Sequence, residues 1–482
     1  MDHQSHEQQL KRNTIISAFS LFFQGGYTAI LGLIANLVLT ILLQPKIFGI
    51  YITVLSLISF LNYFSDIGLA ASLIQKKELR PEDTRTTFTV QQSLIISLIA
   101  IGIGATTFIK DFYHLPQEGV YLYWSLLFSF FISSLKTIPS VLLERKIEFQ
   151  KIVFVQVIEG TLFYISVIIF AILGFGLRSF TIAVFLRALI GLIVIYRISF
   201  WMPQIGISRK SLKELLSFGV PFQASSFLAL FKDDLIILYL GKVIGFEGVG
   251  YIGWAKKWAE APIRIIMDNI TKVLFPVIAR YQEDKSRVAQ LIEKVFYYQT
   301  MVLAPVMMSS ALLMGLVVEI IPKYHKWAVA LPMFYIFVLS SFLVSFSAPL
   351  VNLLNALGKV RISLTFMILW TVIMWIFTPT LTHFYGTIGF PVAHLLVSST
   401  FIFIVLTVQK EIKFSFLRPI YKPILSAIIL GLVVLILRSV LPFNNLITFF
   451  VAGSAGLLTY IAVLSLLFKV NLAEEIKFFI KK

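Results

Sequence analysis

The chain contains no cysteine, which excludes disulfides and thiolate metal sites. Charge is also scarce. Asp, Glu, Lys and Arg make up 13% of its 482 residues, against about a quarter in soluble domains, so a water-soluble globule is excluded. The six histidines, His3, His6, His114, His325, His383 and His394, show no metal-ligand spacing. No P-loop, glycine-rich nucleotide fingerprint or nucleophile elbow occurs. ATP hydrolysis within this chain and the common enzyme chemistries therefore lack their residues, and no cofactor is called for.

What is present is apolar length. Hydrophobic residues make up 58% of the chain and aromatics 15%, and runs of about 20 apolar residues recur, enough to cross a bilayer as helices. The predicted fold class is an all-α polytopic membrane protein of about fourteen transmembrane helices. The spans read 15–43, 47–75, 87–109, 119–143, 152–173, 177–200, 216–241, 246–279, 291–320, 327–353, 361–384, 386–408, 422–441 and 445–468. No loop has room for a soluble domain. Residues Met1 to Asn13 are polar and no small-residue cleavage site follows the long first run, so no cleaved signal peptide is expected.

The basic residues orient the chain. If both ends are cytoplasmic, 27 of the 41 Lys and Arg fall in cytoplasmic segments, 7 in outward loops and helix ends, and 7 within spans. That asymmetry is the positive-inside pattern. It predicts a multi-pass protein of the cytoplasmic membrane with both termini inside. It also accounts for the net charge of +17 without a nucleic-acid partner.

A weak internal repeat is visible. "FGIY" at 48–51 opens the second span and "VGYI" at 249–252 opens the eighth, their glycines 201 residues apart. "PSVLLERK" (139–146) recurs loosely as "PLVNLLNALGK" (349–359). The expected organisation is a cytoplasmic N-terminus (1–14), two pseudo-symmetric six-helix halves (15–200 and 216–408), an added helix pair (422–468) and a cytoplasmic tail (469–482). Paired six-helix halves around a cavity are a transporter architecture.

Thirteen charged residues lie inside the spans: Lys136, Arg187, Lys232, Lys256, Lys257, Arg264 and Lys272, with Asp66, Glu159, Asp233, Asp234, Glu260 and Asp268. Each costs at least about 2.5–3.5 kcal/mol at the bilayer centre if it faces lipid, so they must face one another or water. Lys257, Glu260, Arg264, Asp268 and Lys272 follow at steps of three or four, which puts them on one helix face. That stripe can line an aqueous cavity or can be a ladder of ion pairs, and both readings stand. Pro262 and Pro276 punctuate the same span. Asp66 and Glu159 sit in the cytoplasmic thirds of their spans, where a carboxylate caps, snorkels or carries a proton. Trp201, Trp254 and Trp258 lie near span ends and read as interface anchors.

"FGIYITVLSLISFLNYFSDIGLAASLIQKKELRPED" (48–83) resembles the second span and following loop of polysaccharide exporters of the multidrug/oligosaccharidyl-lipid/polysaccharide superfamily. "FKDDLIILYLGKVIGFEGVGYIGWAKKWAEAP" (231–262) resembles that family's seventh and eighth spans, an Asp, then Gly, Gly-Tyr and Pro; "VLFPVIARYQED" (273–284) continues it. The likeness covers most of residues 15–410 and is nearest to Wzx-like exporters of colanic or teichuronic acid repeat units. It implies a flippase for a polyprenyl-diphosphate-linked oligosaccharide, working by alternating access in the bilayer, with H+ or Na+ as candidate coupling ions. Glycosyltransferases and a polysaccharide polymerase are its implied partners. Position and charge then make Arg264, Lys257, Lys232, Arg187 and Lys136 the expected substrate contacts. Asp66, Asp234, Asp268, Glu260 and Glu159 are the expected coupling or gating carboxylates. The lipid II flippases of the superfamily match less well, because the first span, 15–43, has no arginine. The rival functions are an ion-coupled multidrug exporter, which the seven intramembrane cations disfavour, a membrane polymerase or ligase, which the short outward loops disfavour, and a scaffold without transport.

Overall fold

The computed structural model describes residues 2–281, 283–441 and 445–471, without the side chains of 2–12, 15, 18, 222, 224–229, 232, 233, 268–273, 275–277 and 279. Its regular elements are helices, and the chain divides into two compact units, Met1–Gly250 and Tyr251–Lys482. Eleven helical segments among the described residues are long and apolar enough to cross a membrane.

The first unit holds α1 (Asp2–Leu42), α2 (Pro45–Asn62), α3 (Leu69–Gln75), α4 (Pro81–Gly104), α5 (Thr106–Tyr113), α6 (Gln117–Leu135), α7 (Thr137–Arg145), α8 (Phe149–Ile172), α9 (Arg178–Ile198), α10 (Arg209–Val243) and the first turns of α11 (Gly245–Arg280). The starts follow local chemistry. Pro45 and Pro81 stand at the first turns of α2 and α4, where the missing N–H is no loss. Ser208 accepts the Ser211 N–H at the head of α10. The core runs through Leu39, Val54, Leu122, Phe163 and Val167.

The second unit continues α11 and adds α12 (Lys285–Ile320), α13 (Leu331–Ala356), α14 (Val360–Tyr385), α15 (Gly389–Ser399), α16 (Phe401–Glu411), α17 (Leu417–Val440) and α18 (Leu446–Ala462). Asp284 and Asn445 cap α12 and α18 through their carboxylate and amide oxygens. Phe296, Phe346, Leu350, Leu353 and Val408 form its largest core.

The outer faces are apolar. Ile101 is 65% exposed and Leu458 66%, a surface that suits lipid rather than water. The stretch Val360–Glu411, taken as one segment, contains α14, α15 and α16 and accommodates two predicted spans. α10 and α11 are the two long helices outside the apolar set, and they carry nine of the thirteen intramembrane charges noted above. The eleven segments are therefore compatible with about fourteen spans.

Four spans read as continuous are broken, one of them, 87–109, at Ala105 between α4 and α5. The run 47–75 stops at Asn62 and resumes as α3 at Leu69. Ile67 and Gly68 have φ of 46° and 75° there, and a Cβ on Gly68 would stand 2.1 Å from the Gly219 carbonyl oxygen, so only glycine fits. The run 119–143 breaks at Lys136 between α6 and α7, and the run 386–408 breaks at Thr400 between α15 and α16. Hydrophobicity alone does not register these breaks. Trp254 is also not an interface anchor. It is buried, stacks on Trp327 at 5.5 Å and donates from Nε1 to the Tyr324 hydroxyl at 3.0 Å. Trp201 meets Phe88 edge-on at 5.2 Å.

The glycines of the internal repeat touch. A Cβ on Gly49 would lie 1.6 Å from the Phe246 carbonyl oxygen, and one on Gly250 would lie 2.0 Å from that of Pro45. Each carbonyl belongs to the residue four before the opposing glycine. The contact is thus reciprocal, as a two-fold relation between α2 and the start of α11 would make it.

Candidate functional site

In the first unit two of the intramembrane cations converge on Glu159. Lys136, at the α6–α7 break, donates to its Oε1 at 2.5 Å. Arg187 of α9 brings Nε to 3.9 Å from its Oε2. Gly191, one turn after Arg187, makes the room, since a Cβ there would overlap the Glu159 carboxylate at 1.6 Å. The three side chains differ in access. Glu159 is 8% exposed and Arg187 51%, so the guanidinium keeps an open face. That group lies 5.8 Å from the centroid of Phe163. Tyr51 extends the aromatic wall, stacked 4.2 Å from Phe180 and 6.5 Å from Phe163.

In the second unit Glu260 plays the same part. Arg264 Nη2 lies 2.9 Å from its Oε2 and Lys256 Nζ 3.7 Å from its Oε1. Both partners are four residues away along α11, the spacing at which helix side chains meet. Arg264 is 71% exposed and Glu260 18%. Each unit therefore holds one carboxylate between a lysine and an arginine, with an excess cation and an exposed guanidinium. A hydrated anion is the ligand such a group attracts.

The remaining expected residues are placed differently. Lys257 is exposed and makes no ion pair among the described residues; Lys256, rather than Lys257, shares Glu260. Asp66 sits in the break after α2 and accepts the Ala70 N–H at 3.1 and 3.3 Å, a helix-capping role. Asp234 is half-buried on α10. The side chains of Lys232 and Asp268 are not among those described.

Sequence reasoning missed a polar junction outside the spans. Lys76 Nζ lies 2.8 Å from Asp83 and 2.9 Å from Glu214, and Ser211 hydrogen-bonds Asp83. Arg145 donates to the carbonyls of Leu73 (2.6 Å), Ile74 (3.1 Å), Lys76 (2.6 Å) and Lys77 (3.1 Å). It thereby satisfies carbonyls left open at the end of α3. The hydrogen bond from Lys76 holds the Glu214 carboxyl below its ordinary range. Burial works against the Lys76 ammonium, but its bonds to Asp83 and Glu214 outweigh it and hold the group above the lysine range. The Pro-Glu-Asp sequence at 81–83 signals the Asp83 cap, but nothing local announces Arg145.

A multi-span helical bundle with charged clusters inside its spans defines a membrane protein of the transporter type, and the comparisons agree. The chain resembles lipid II flippase MurJ in an inward closed conformation, with a TM-score of 0.76 at 14% identity over 94% of this chain and 99% of that one. It also resembles an inward-facing MATE-family multidrug resistance transporter of the MOP superfamily, at 0.63, 16% identity, 79% and 95%. These likenesses show the fold. The family described as Polysaccharide biosynthesis protein (Polysacc_synt_3) matches residues 38–332, more than half of the chain, and the chain belongs to that family. Among its relatives is the succinoglycan biosynthesis transport protein ExoT of Rhizobium meliloti (strain 1021), 24% identical over 67% of this chain and 65% of that one. Another is the lipopolysaccharide biosynthesis protein WzxC of Escherichia coli (strain K12), 26% identical over 76% and 75%. The teichuronic acid biosynthesis protein TuaB of Bacillus subtilis (strain 168) is 24% identical over 62% of each. The chain spans just under two thirds of the ExoT and TuaB lengths.

Proposed function

We propose that this protein carries a polyprenyl-diphosphate-linked oligosaccharide from the inner to the outer leaflet of the cytoplasmic membrane, for assembly of a cell-surface polysaccharide. The observation that carries the reading is the repeated cluster, Lys136–Glu159–Arg187 in one unit and Lys256–Glu260–Arg264 in the other. A diphosphate headgroup cannot enter hydrocarbon unaided, because the charge loses its hydration. Guanidinium groups in a hydrated cavity replace that hydration, while the lipid tail stays in the bilayer. The halves 15–200 and 216–408 would alternate access to this cavity. Lys257, Lys232 and the carboxylates Asp66, Asp234 and Asp268 are secondary candidates for contact or gating, and H+ or Na+ for coupling. The glycosyltransferases that build the unit and a polymerase that consumes it are the partners this function requires. A cation-drug exporter has the same fold, but the cationic excess of both clusters opposes it.

The test is reconstitution into liposomes with a fluorescent polyprenyl-diphosphate sugar, reading the fraction reached by an external quencher. Wild type should expose the probe rapidly. Arg264→Ala and Arg187→Ala should each slow exposure by about tenfold or more, as loss of a charge-assisted contact does. If wild type moves no probe under any ion gradient, the reading fails. If both variants match wild type, the clusters are structural.

A further inference from the structure

His394 is a histidine within a membrane span that the substrate reading leaves unused. It lies on α15, its Nδ1 3.1 Å from the Ser340 hydroxyl and 3.5 Å from that of Ser398. Its ring packs on Phe337 at 5.5 Å and Phe390 at 6.3 Å. The Lys256 ammonium that pairs with Glu260 lies 6.0 Å from that same Phe390 ring. Phe390 is a common neighbour of the imidazole and of the ammonium that pairs with Glu260. The imidazole thus stands behind the Lys256–Glu260–Arg264 cluster, held in place by two hydroxyls and two aromatic rings.

The other elements around it bring little charge. α13 carries one titratable side chain, Tyr335. α14 carries Arg361, His383 and Tyr385 near its ends, and α16 carries Lys410 and Glu411 at its last turn. The charged groups near the imidazole come from α11: Glu260, Lys256 and, through Glu260, Arg264.

We infer that a proton on His394 sets the anion affinity of the Arg264 cluster. The step is one N–H bond made or broken on the imidazole, with the proton exchanged with water. With His394 neutral, Glu260 is shared between Lys256 and Arg264 and offsets one of their charges. With His394 protonated, Glu260 gains a third cationic neighbour and its hold on Arg264 weakens. The cluster then offers an anion one more positive charge and a freer guanidinium. Binding of an anion and of a proton must strengthen each other, by linkage. Histidine is the side chain whose ordinary titration makes this possible near neutrality.

The inference rests on the proposed substrate class, and two measurements separate the failures. The first is binding of a polyprenyl-diphosphate sugar to the detergent-solubilised protein. The sugar-capped diphosphate does not itself titrate between about pH 6 and 8. Wild type should bind about tenfold tighter near pH 6 than near pH 8. His394→Asn, which keeps a polar atom toward Ser340, should bind with little pH dependence. An unchanged pH dependence in that variant would overturn the inference and leave the flippase reading standing. No binding at any pH would sink the flippase reading. The second measurement stands apart from substrate. In histidine-labelled protein, the NMR signal absent from His394→Asn should titrate over the same pH range in which binding changes, and Glu260→Gln should lower its midpoint. A signal that stays neutral down to about pH 5, or ignores Glu260→Gln, overturns the coupling whatever the substrate proves to be.

Discussion

Glu159 shows what a single buried carboxylate demands of its neighbours. Taking it out of water is tolerable only because Lys136 and Arg187 reach it, and they reach it only because residue 191 has no side chain. Gly191→Ala should therefore displace the carboxylate and destabilise the first unit by about 1–3 kcal/mol, as overpacking does; a thermal melt in detergent against wild type measures it. Glu159→Ala should cost less in the Gly191→Ala background than in wild type, since the two sites share one contact. Outside the spans, Lys76 and Glu214 give a pH prediction. Glu214 titrates below its ordinary range when folded, so its contribution is present above the ordinary carboxylate value and lost as pH falls through the folded one. Lys76 titrates above its ordinary range, so its contribution is present below the ordinary lysine value and lost as pH rises through the folded one. Melting temperature should fall at both extremes, and Glu214→Gln should flatten the acid limb and also weaken the alkaline one, because Lys76 then loses one of the two bonds that hold it above its range. At this scale the charged residues were readable from the sequence, but their partners were not. Lys256 and Lys257 are adjacent and alike, and only the four-residue step to Glu260 selects Lys256.

Among the elements, the long apolar helices were legible because each is a run of lipid-compatible residues, and the sequence places most of their ends within a few residues. The breaks at 63–68 and at Lys136 were not, because their causes lie elsewhere in the chain. Gly68 answers to Gly219, and Arg145 answers to the carbonyls at the end of α3. The repeat is the opposite case. Two short degenerate motifs carried a weak signal, and their glycines meet in a reciprocal contact. Small residues at such a crossing let two backbones approach closely. Gly49→Ala and Gly250→Ala should each cost about 1–3 kcal/mol. Because both push apart the same pair of helices, the double variant should cost clearly less than the two singles added. Full additivity in thermal melts would show that the contacts are independent.

For the whole molecule, basic residues decide how the bundle lies in the membrane. The 27-to-7 division of Lys and Arg predicts that both termini and every second loop lie in the cytoplasm, since translocating a basic loop is disfavoured. The proposed function would need this orientation too, because a substrate made in the cytoplasm would have to meet the cationic clusters from that side first. The chain lacks cysteine, so single cysteines can be introduced into the otherwise unaltered protein and probed with a membrane-impermeant maleimide. Gln204→Cys and Lys413→Cys, both exposed and in predicted inward loops, should label only after the membrane is permeabilised. Gln117→Cys and His383→Cys, exposed at predicted outward positions, should label in intact cells. The reverse pattern would invert the protein and with it the direction of flipping. A mixed pattern within either pair would mean that the number of crossings between those positions is odd where fourteen spans make it even, and the helix count itself would have to change.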